Sequence, residues 1–410
     1  MPDLRIIRVF EHQLLKVGDE VEAVTFDSSD FNAIAKWLEG RECPYVKIEH
    51  NAVRFNSYVG VIQCGGLCIE ILPKLDRWLS SRDAVQTCLI EMLKVSRFLK
   101  IETFRSLSIA IKALPLIDLF WRFYLEEVSK LLQEGLIRSY RREEGWKPYL
   151  KGKLELSQQL RSNQAVKGFY TQATTYDYNH PLNAILYGAL SVLRRLPLSS
   201  SNQQLLGQVM NRFPKVNYSV QQLHRLSEQP LDWKTARYQD ALFLAKMILQ
   251  DNSPDVRAGA LPGVALIFDM NALFETYIYQ LLVRDKPEQA RVSYQEQRFF
   301  WLKRSIRPDI VCQWMDKRVV MDTKWKLLPN GQPPIEDLRQ MYVYNKYFRA
   351  TKGILLYPKI SMNESITAPF HGVGAGIDHG VCEVRFLDLV KNGRLNLDLG
   401  KSLWKSFSER

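Results

Sequence analysis

No stretch of the 410-residue chain approaches the roughly 18 consecutive apolar residues that a membrane-spanning helix requires. The opening segment, MPDLRIIRVFEHQ, has acidic and polar residues where a secretory leader carries an apolar core. The expectation is a cytoplasmic protein with no membrane partner. The 6 cysteines are scattered, and Cys64 and Cys68 have no second ligand pair downstream to complete a zinc site. The 6 histidines never fall at i, i+4, so no histidine-based metal site is expected. No G-x-x-x-x-G-K-[ST] occurs; the nearest glycine cluster, Gly372-Val-Gly-Ala-Gly376, lacks the lysine. The chain is therefore expected to bind no nucleotide of its own. Internal repeats and low-complexity tracts are also missing.

What is present is ordinary globular composition, 46% hydrophobic and 24% charged, over a length that suits two or three domains. The charge is less ordinary. With 56 Lys+Arg against 44 Asp+Glu the formal net is +12. That sign suits a polyanion, because neutralising phosphates releases counterions; the plain alternative is a solvated basic surface. Residues 301–360 concentrate the excess, with twelve basic side chains and five acidic ones.

The pattern along the chain reads as a mixed α+β protein. A strand-rich N-terminal domain with helices is expected over residues 1–160, a helical connecting region over 161–254, and a C-terminal α/β domain over 255–410. Short strands at Leu4–Phe10, Val46–Ile48 and Val59–Gln63 precede a Gly65-Gly66 turn into Leu67–Leu72. Helical stripes follow from Arg82 and over Leu114–Leu132, then near Pro181–Leu196, Asn202–Asn211 and Trp233–Leu249. Between them Arg138–Lys153 is basic and aromatic, and Gly145, Pro148 and Gly152 mark it as a loop that either binds nucleic acid or joins domains. Asp251–Pro262 is the clearest boundary beyond residue 200.

After that boundary the expected order is helix Ala265–Val283, strand Gln297–Leu302, a hairpin of Arg307–Trp314 and Arg318–Trp325, helix Ile335–Tyr347, and strand Gly353–Tyr357. In an antiparallel hairpin the start of one strand lies beside the end of the next, so Asp309 and Asp322 become neighbours. Asp322 and Lys324 are two apart and point to the same face. Two carboxylates and an ammonium thus converge at one sheet end. Hard oxygen ligands of this kind suit Mg²⁺, with Mn²⁺ as a substitute, and a metal-assisted hydrolysis of a phosphodiester. The plainer reading of Asp322 and Lys324 is an exposed strand-edge salt bridge worth less than ~1 kcal/mol.

Pro308-Asp309, a gap, then Asp322-Thr-Lys324 resembles the PD-(D/E)xK nuclease superfamily in letters and in element order. That resemblance implies an acidic residue on the preceding helix, matched by Glu275 as a further metal ligand. It also implies a Gln-x-x-x-Tyr on the following helix, matched by Gln340 and Tyr344. Arg307-Pro-Asp-Ile310 with Met321-Asp-Thr-Lys-Trp-Lys326 is similar, more narrowly, to the McrC family. Glu70-Ile-Leu-Pro-Lys-Leu75, Gly135–Tyr140, Leu150–Glu155 and Asp177–Asn183 resemble further segments of that family, in the same order. Membership would make the chain a Mg²⁺-dependent endonuclease subunit of a modification-dependent restriction system. It would cut double-stranded, methylated DNA together with a hexameric, GTP-hydrolysing AAA+ partner of the McrB kind, whose GTPase it stimulates. Two other functions compete: a non-catalytic regulator of that motor, and a stand-alone basic nucleic-acid-binding protein.

Overall fold

The computed structural model describes residues 4–39, 43–75, 79, 81–98, 115–161, 168–217, 232–250, 263–360, 363–371 and 380–408. The 251–262 boundary segment and the 372–376 glycine cluster lie outside them. The described chain is a mixed α/β protein built on two larger sheets.

The first sheet has four strands in the order Arg5–Phe10, Leu67–Leu72, Tyr58–Cys64 and Gly263–Asp269. Arg5–Phe10 runs parallel to Leu67–Leu72, and the other pairs are antiparallel. Leu67–Leu72 is buried on both faces, as its unbroken apolar run around Glu70 requires. Helix Ser28–Leu38 closes one face through Ile34 and Trp37. The long helices Arg82–Val95 and Leu116–Glu134 close the other. Pro181–Leu193, Ser200–Arg212 and Gln239–Gln250 extend that core as the helical middle of the chain.

Two expectations are corrected here. Ala265–Val283 is not one helix: Gly263–Asp269 is a strand of the first sheet, and the helix is Met270–Arg284. Asp269 marks the change, its carboxylate accepting from the backbone N–H groups of Asn271 and Ala272. Gly60 explains how close the new strand comes, since a Cβ there would sit 2.0 Å from the Leu266 carbonyl oxygen. Arg138–Lys153 is likewise no simple loop. Ser139–Lys147 pairs over nine residues with Phe169–Asp177 in a ribbon that Lys153–Leu154 extends. Few of its side chains are buried, so no apolar alternation announced it. Cross-strand pairs hold it instead: Arg141 to Asp177 at 3.1 Å, Tyr140 on Tyr176, and Trp146 on Tyr170.

The second sheet has six strands in the order Arg291–Tyr294, Ile310–Trp314, Lys317–Thr323, Lys352–Pro358, Val381–Leu387 and Ile366–Pro369. The Ile310–Trp314/Lys317–Thr323 hairpin turns at Met315, which takes φ 52°. Lys317–Thr323, Lys352–Pro358 and Val381–Leu387 run parallel. Alternation assigns the faces. Val319, Met321, Ile354 and Leu356 join the core shared with helices Met270–Arg284 and Leu399–Ser408. Val320, Leu355 and Tyr357 face helix Ile335–Phe348 through Met341, Tyr344 and Phe348. That helix lies tightly on the sheet, for a Cβ on Gly353 would meet Met341 Cε at 2.8 Å.

Candidate active site

The period of two that puts Val320 toward helix Ile335–Phe348 puts Asp322 there as well, and Lys324 follows on the same side. Pro308, which has no N–H for a ladder, separates the short Arg298–Trp301/Arg304–Ile306 ribbon from the sheet strand, so Asp309 leads Ile310–Trp314. The register Ile310↔Met321 then sets Asp309 against the end of Lys317–Thr323. Asp309 Oδ2 accepts from the Thr323 backbone N–H at 2.6 Å and from the Thr323 hydroxyl at 2.8 Å. The Lys324 N–H donates to the Leu356 carbonyl, which holds the lysine stem on the parallel ladder.

Asp322 is 1% exposed and pairs with Lys324 Nζ at 2.6 Å. Lys324 Nζ also donates to Gln340 Oε1 at 2.9 Å, Gln340 Nε2 donates to the Tyr344 hydroxyl at 2.8 Å, and that hydroxyl donates to the Arg307 carbonyl at 3.1 Å. Gln340 and Tyr344, one helical turn apart, thus connect the lysine to the segment that carries Asp309. Glu275 joins from the other side through Gln295. Gln295 Nε2 donates to Glu275 Oε1 at 2.7 Å, and the Gln295 N–H donates to the Asp309 carbonyl at 2.8 Å. All six residues singled out in the sequence therefore belong to one connected neighbourhood.

Its electrostatics are those of carboxylates crowded in a dry place. Burial, and then the Asp309 charge, push Asp322 up to about 7. Burial and the same Asp309 charge push Glu275 up to about 7. Asp309 itself is raised by burial, against the pull of the Thr323 hydrogen bonds. Burial works to lower Lys324, but the Asp322 charge outweighs it and the lysine stays charged with a raised pKa. The exposed-salt-bridge reading of Asp322 and Lys324 is thus excluded by burial. Asp322 Oδ2 takes no hydrogen bond beyond its lysine contact, which leaves a buried anionic oxygen with acceptor capacity to spare. Among the described residues no group of three or more His, Cys, Asp or Glu side chains is already arranged to hold a metal ion. The donors fit a hard divalent cation all the same: Asp309 and Asp322 are oxygen ligands whose mutual repulsion such an ion would relieve.

A family model for McrBC 5-methylcytosine restriction system components matches residues 53–358. The chain belongs to that family. The McrC-like motifs of the sequence, spread from Glu70 to Lys326, pointed to the same place. No curated protein matches the chain. Among solved structures, a chain of the refined half-complex from the tetradecameric assembly of Thermococcus gammatolerans McrB AAA+ hexamers with bound McrC shares the fold, with a TM-score of 0.68. The two chains are 20% identical, and the match covers 98% of this chain and 100% of that one. A chain of the Thermococcus gammatolerans McrBC complex is 19% identical over 69% of this chain and 88% of the other, with a TM-score of 0.47. Among the described residues no helix is long and apolar enough to cross a membrane.

Three residues of this McrBC-family site were not read from the sequence. Thr323 is the unspecified position of the Asp322-x-Lys324 pattern, and Gln295 lies in a loop, so neither carries a signal. Asp337 carried one, because it stands one turn before Gln340 on the same helix face. Buried at 7% exposure, it pairs with Lys326 at 2.7 Å, accepts from the Tyr357 hydroxyl, and lies 4.0 Å from Lys324 Nζ. Trp325, between the two lysines, leans on Phe274 at 5.2 Å and donates from Nε1 to Glu11 Oε1 at 2.7 Å. The strand that carries Asp322 is thereby tied to the first sheet.

Proposed function

We propose that this chain is the DNA-cutting subunit of its restriction system: a metal-dependent endonuclease of the PD-(D/E)xK type that works with a GTP-hydrolysing AAA+ partner. The observation that carries the reading is the Asp309–Thr323 and Asp322–Lys324–Gln340–Tyr344 arrangement at one sheet end, with Glu275 beside it. Asp309 and Asp322, with Glu275 near, would hold Mg²⁺ or Mn²⁺. Bound there, the ion supplies polarisation of the phosphate and a more acidic water. The protein's own groups do the rest. Lys324, fixed between Asp322 and Gln340, presents a positive charge where negative charge gathers on the phosphate. Gln340 and Tyr344 hold the ammonium in place, and the Thr323 hydrogen bonds hold the Asp309 carboxylate.

The partner and the substrate rest on the family and on the solved relative, a complex of McrB AAA+ hexamers with bound McrC. The sequence has no G-x-x-x-x-G-K-[ST] motif, so this reading gives GTP hydrolysis, which the chain would stimulate, to the other protein. The net charge of +12 suits double-stranded DNA, and the family's name suits methylated cytosine in it. The test is cleavage of methylated and unmethylated plasmid by the chain with its GTPase and GTP. Cutting that disappears with EDTA and returns with Mg²⁺ or Mn²⁺ is the expected result. Metal-independent cutting, or GTPase stimulation without any cutting, refutes it; the second outcome would make the chain a regulator.

A further inference from the structure

The Arg298–Trp301 and Arg304–Ile306 strands form a two-stranded ribbon that enters neither large sheet. Its tip carries Phe299, Phe300, Trp301 and Leu302, with Phe299 at 78% and Leu302 at 79% exposure. Among the described residues this is the longest run of exposed large apolar side chains. Four such residues exposed together run against the burial that folding rewards, so a partner surface is the physical expectation.

The base of the ribbon is fixed, and it is fixed to the site. Arg298 donates to the Tyr347 carbonyl at 2.8 Å and lies over the Phe348 ring, 4.4 Å from its centre. Phe300 leans on Tyr347 at 5.2 Å. Tyr347 and Phe348 belong to the helix that carries Gln340 and Tyr344. The returning strand ends at Ile306, three residues before Asp309, and the Arg307 carbonyl between them accepts from Tyr344. A strand register shift between Phe299 and Trp301 falls within the tip itself.

Charge decides what the tip meets. Lys303, Arg304 and Arg307 stand within five residues, while Arg298 at the base is taken by Glu296 at 3.0 Å. Apolar protein-binding surfaces are depleted in lysine at their centre, whereas Lys303 follows Leu302 directly at the exposed turn. Aromatic side chains ringed by cations match nucleic acid: rings stack on bases while cations hold the flanking phosphates.

We propose that the Arg298–Ile306 ribbon is a wedge that enters duplex DNA beside the bond to be cut, its Phe299–Leu302 tip stacking on bases that it separates. The proposal rests on the reading of the neighbouring site as a DNA nuclease. The ribbon's rigid base makes the distance from the opened step to the cut fixed, so the wedge also selects which phosphate reaches Asp309 and Asp322.

The experiment uses the full chain in EDTA, where binding is read without metal-dependent cutting, and a short duplex containing 2-aminopurine. Wild-type protein is expected to raise the 2-aminopurine fluorescence as the base unstacks. The triple substitution Phe299→Ala, Trp301→Ala, Leu302→Ala should abolish that rise and weaken binding roughly tenfold. It should leave the slope of log Kd against log salt unchanged, because the phosphate contacts remain. Lys303→Ala with Arg304→Ala should instead flatten the slope, by about two. Because every substituted side chain is exposed, an unchanged circular-dichroism melt is expected and checks the fold. No fluorescence rise with the wild-type protein, or a triple variant that matches wild type in affinity and fluorescence, overturns the wedge. Failure of the nuclease reading shows separately, as the lack of metal-dependent cutting in the plasmid assay.

Discussion

Arg8 and Glu70 sit side by side on paired strands of the first sheet, as Asp322 and Lys324 sit at the end of a strand of the second. Both carboxylates are almost completely buried. Glu70 has a full set of partners: Oε2 accepts from Arg8 Nε at 2.9 Å and Oε1 from the Leu116 N–H at 2.6 Å, which also starts the Leu116–Glu134 helix. Arg8 in turn reaches Asp83 at 3.0 Å. Asp322 has one lysine, a second carboxylate near, and an oxygen that takes nothing more. A buried charge that is completed holds a structure together; one left with surplus charge at a sheet end is kept for something that arrives later.

That contrast can be broken in order of expected size. Asp322→Ala should cut plasmid at least about a thousandfold more slowly while the thermal melt changes little; Lys324→Ala should slow cutting as much but also lower the melt, because it removes the cation paired with buried Asp322. Glu70→Ala should do the reverse, costing about 3 kcal/mol in urea unfolding because it leaves the buried Leu116 N–H unpaired and takes away the buried partner of Arg8, while folded protein keeps its cutting rate. A similar stability loss in Asp322→Ala would erase the difference between the two pairs.

Glu11 is a third buried acid, and its behaviour separates stability from chemistry. Burial, opposed by hydrogen bonds from the Lys74 N–H and the Trp325 indole, pushes it from 4.5 up to about 7. The folded state therefore holds the proton more tightly than the unfolded chain. This acid's contribution to stability is full below pH 4.5, falls as pH rises, and is lost once pH passes 7. Glu11→Gln keeps the acceptor oxygen and removes the titration. The variant should be more stable than wild type at pH 8 by on the order of 2–3 kcal/mol, with the gain vanishing toward pH 4.5. Equal shifts at both pH values would show that the proton is not the cause. Smallest of the four, Tyr344→Phe removes one hydroxyl that links Gln340 to Arg307, and should slow cutting about tenfold without affecting melting.

The C-terminal site was legible for a local reason. Asp309, Asp322 and Lys324 are placed by a hairpin register and a period of two, both visible in the order of residues. Gln340 and Tyr344 came from the family resemblance, with the i, i+4 spacing placing them on one helix face, and Asp337 could have been added to that face by the same spacing. Glu275 came from a resemblance, since nothing local joins it to Asp309; the structure makes that link through Gln295. The first sheet was harder. Its fourth strand, Gly263–Asp269, pairs with Tyr58–Cys64 about two hundred residues earlier, and a buried apolar run has no period to separate strand from helix. The Ser139–Lys147 ribbon hid for the opposite reason: two solvated faces leave a charged strand with no apolar pattern.

The most direct test compares wild-type chain with Asp322→Ala on methylated plasmid, each mixed with the partner GTPase, GTP and Mg²⁺, while GTP hydrolysis is followed in the same tubes. Linear product from the wild-type mixture alone, with equal stimulation of GTP hydrolysis by both proteins, is the predicted result. Cutting by Asp322→Ala at the wild-type rate would contradict it and move the chemistry elsewhere in the complex.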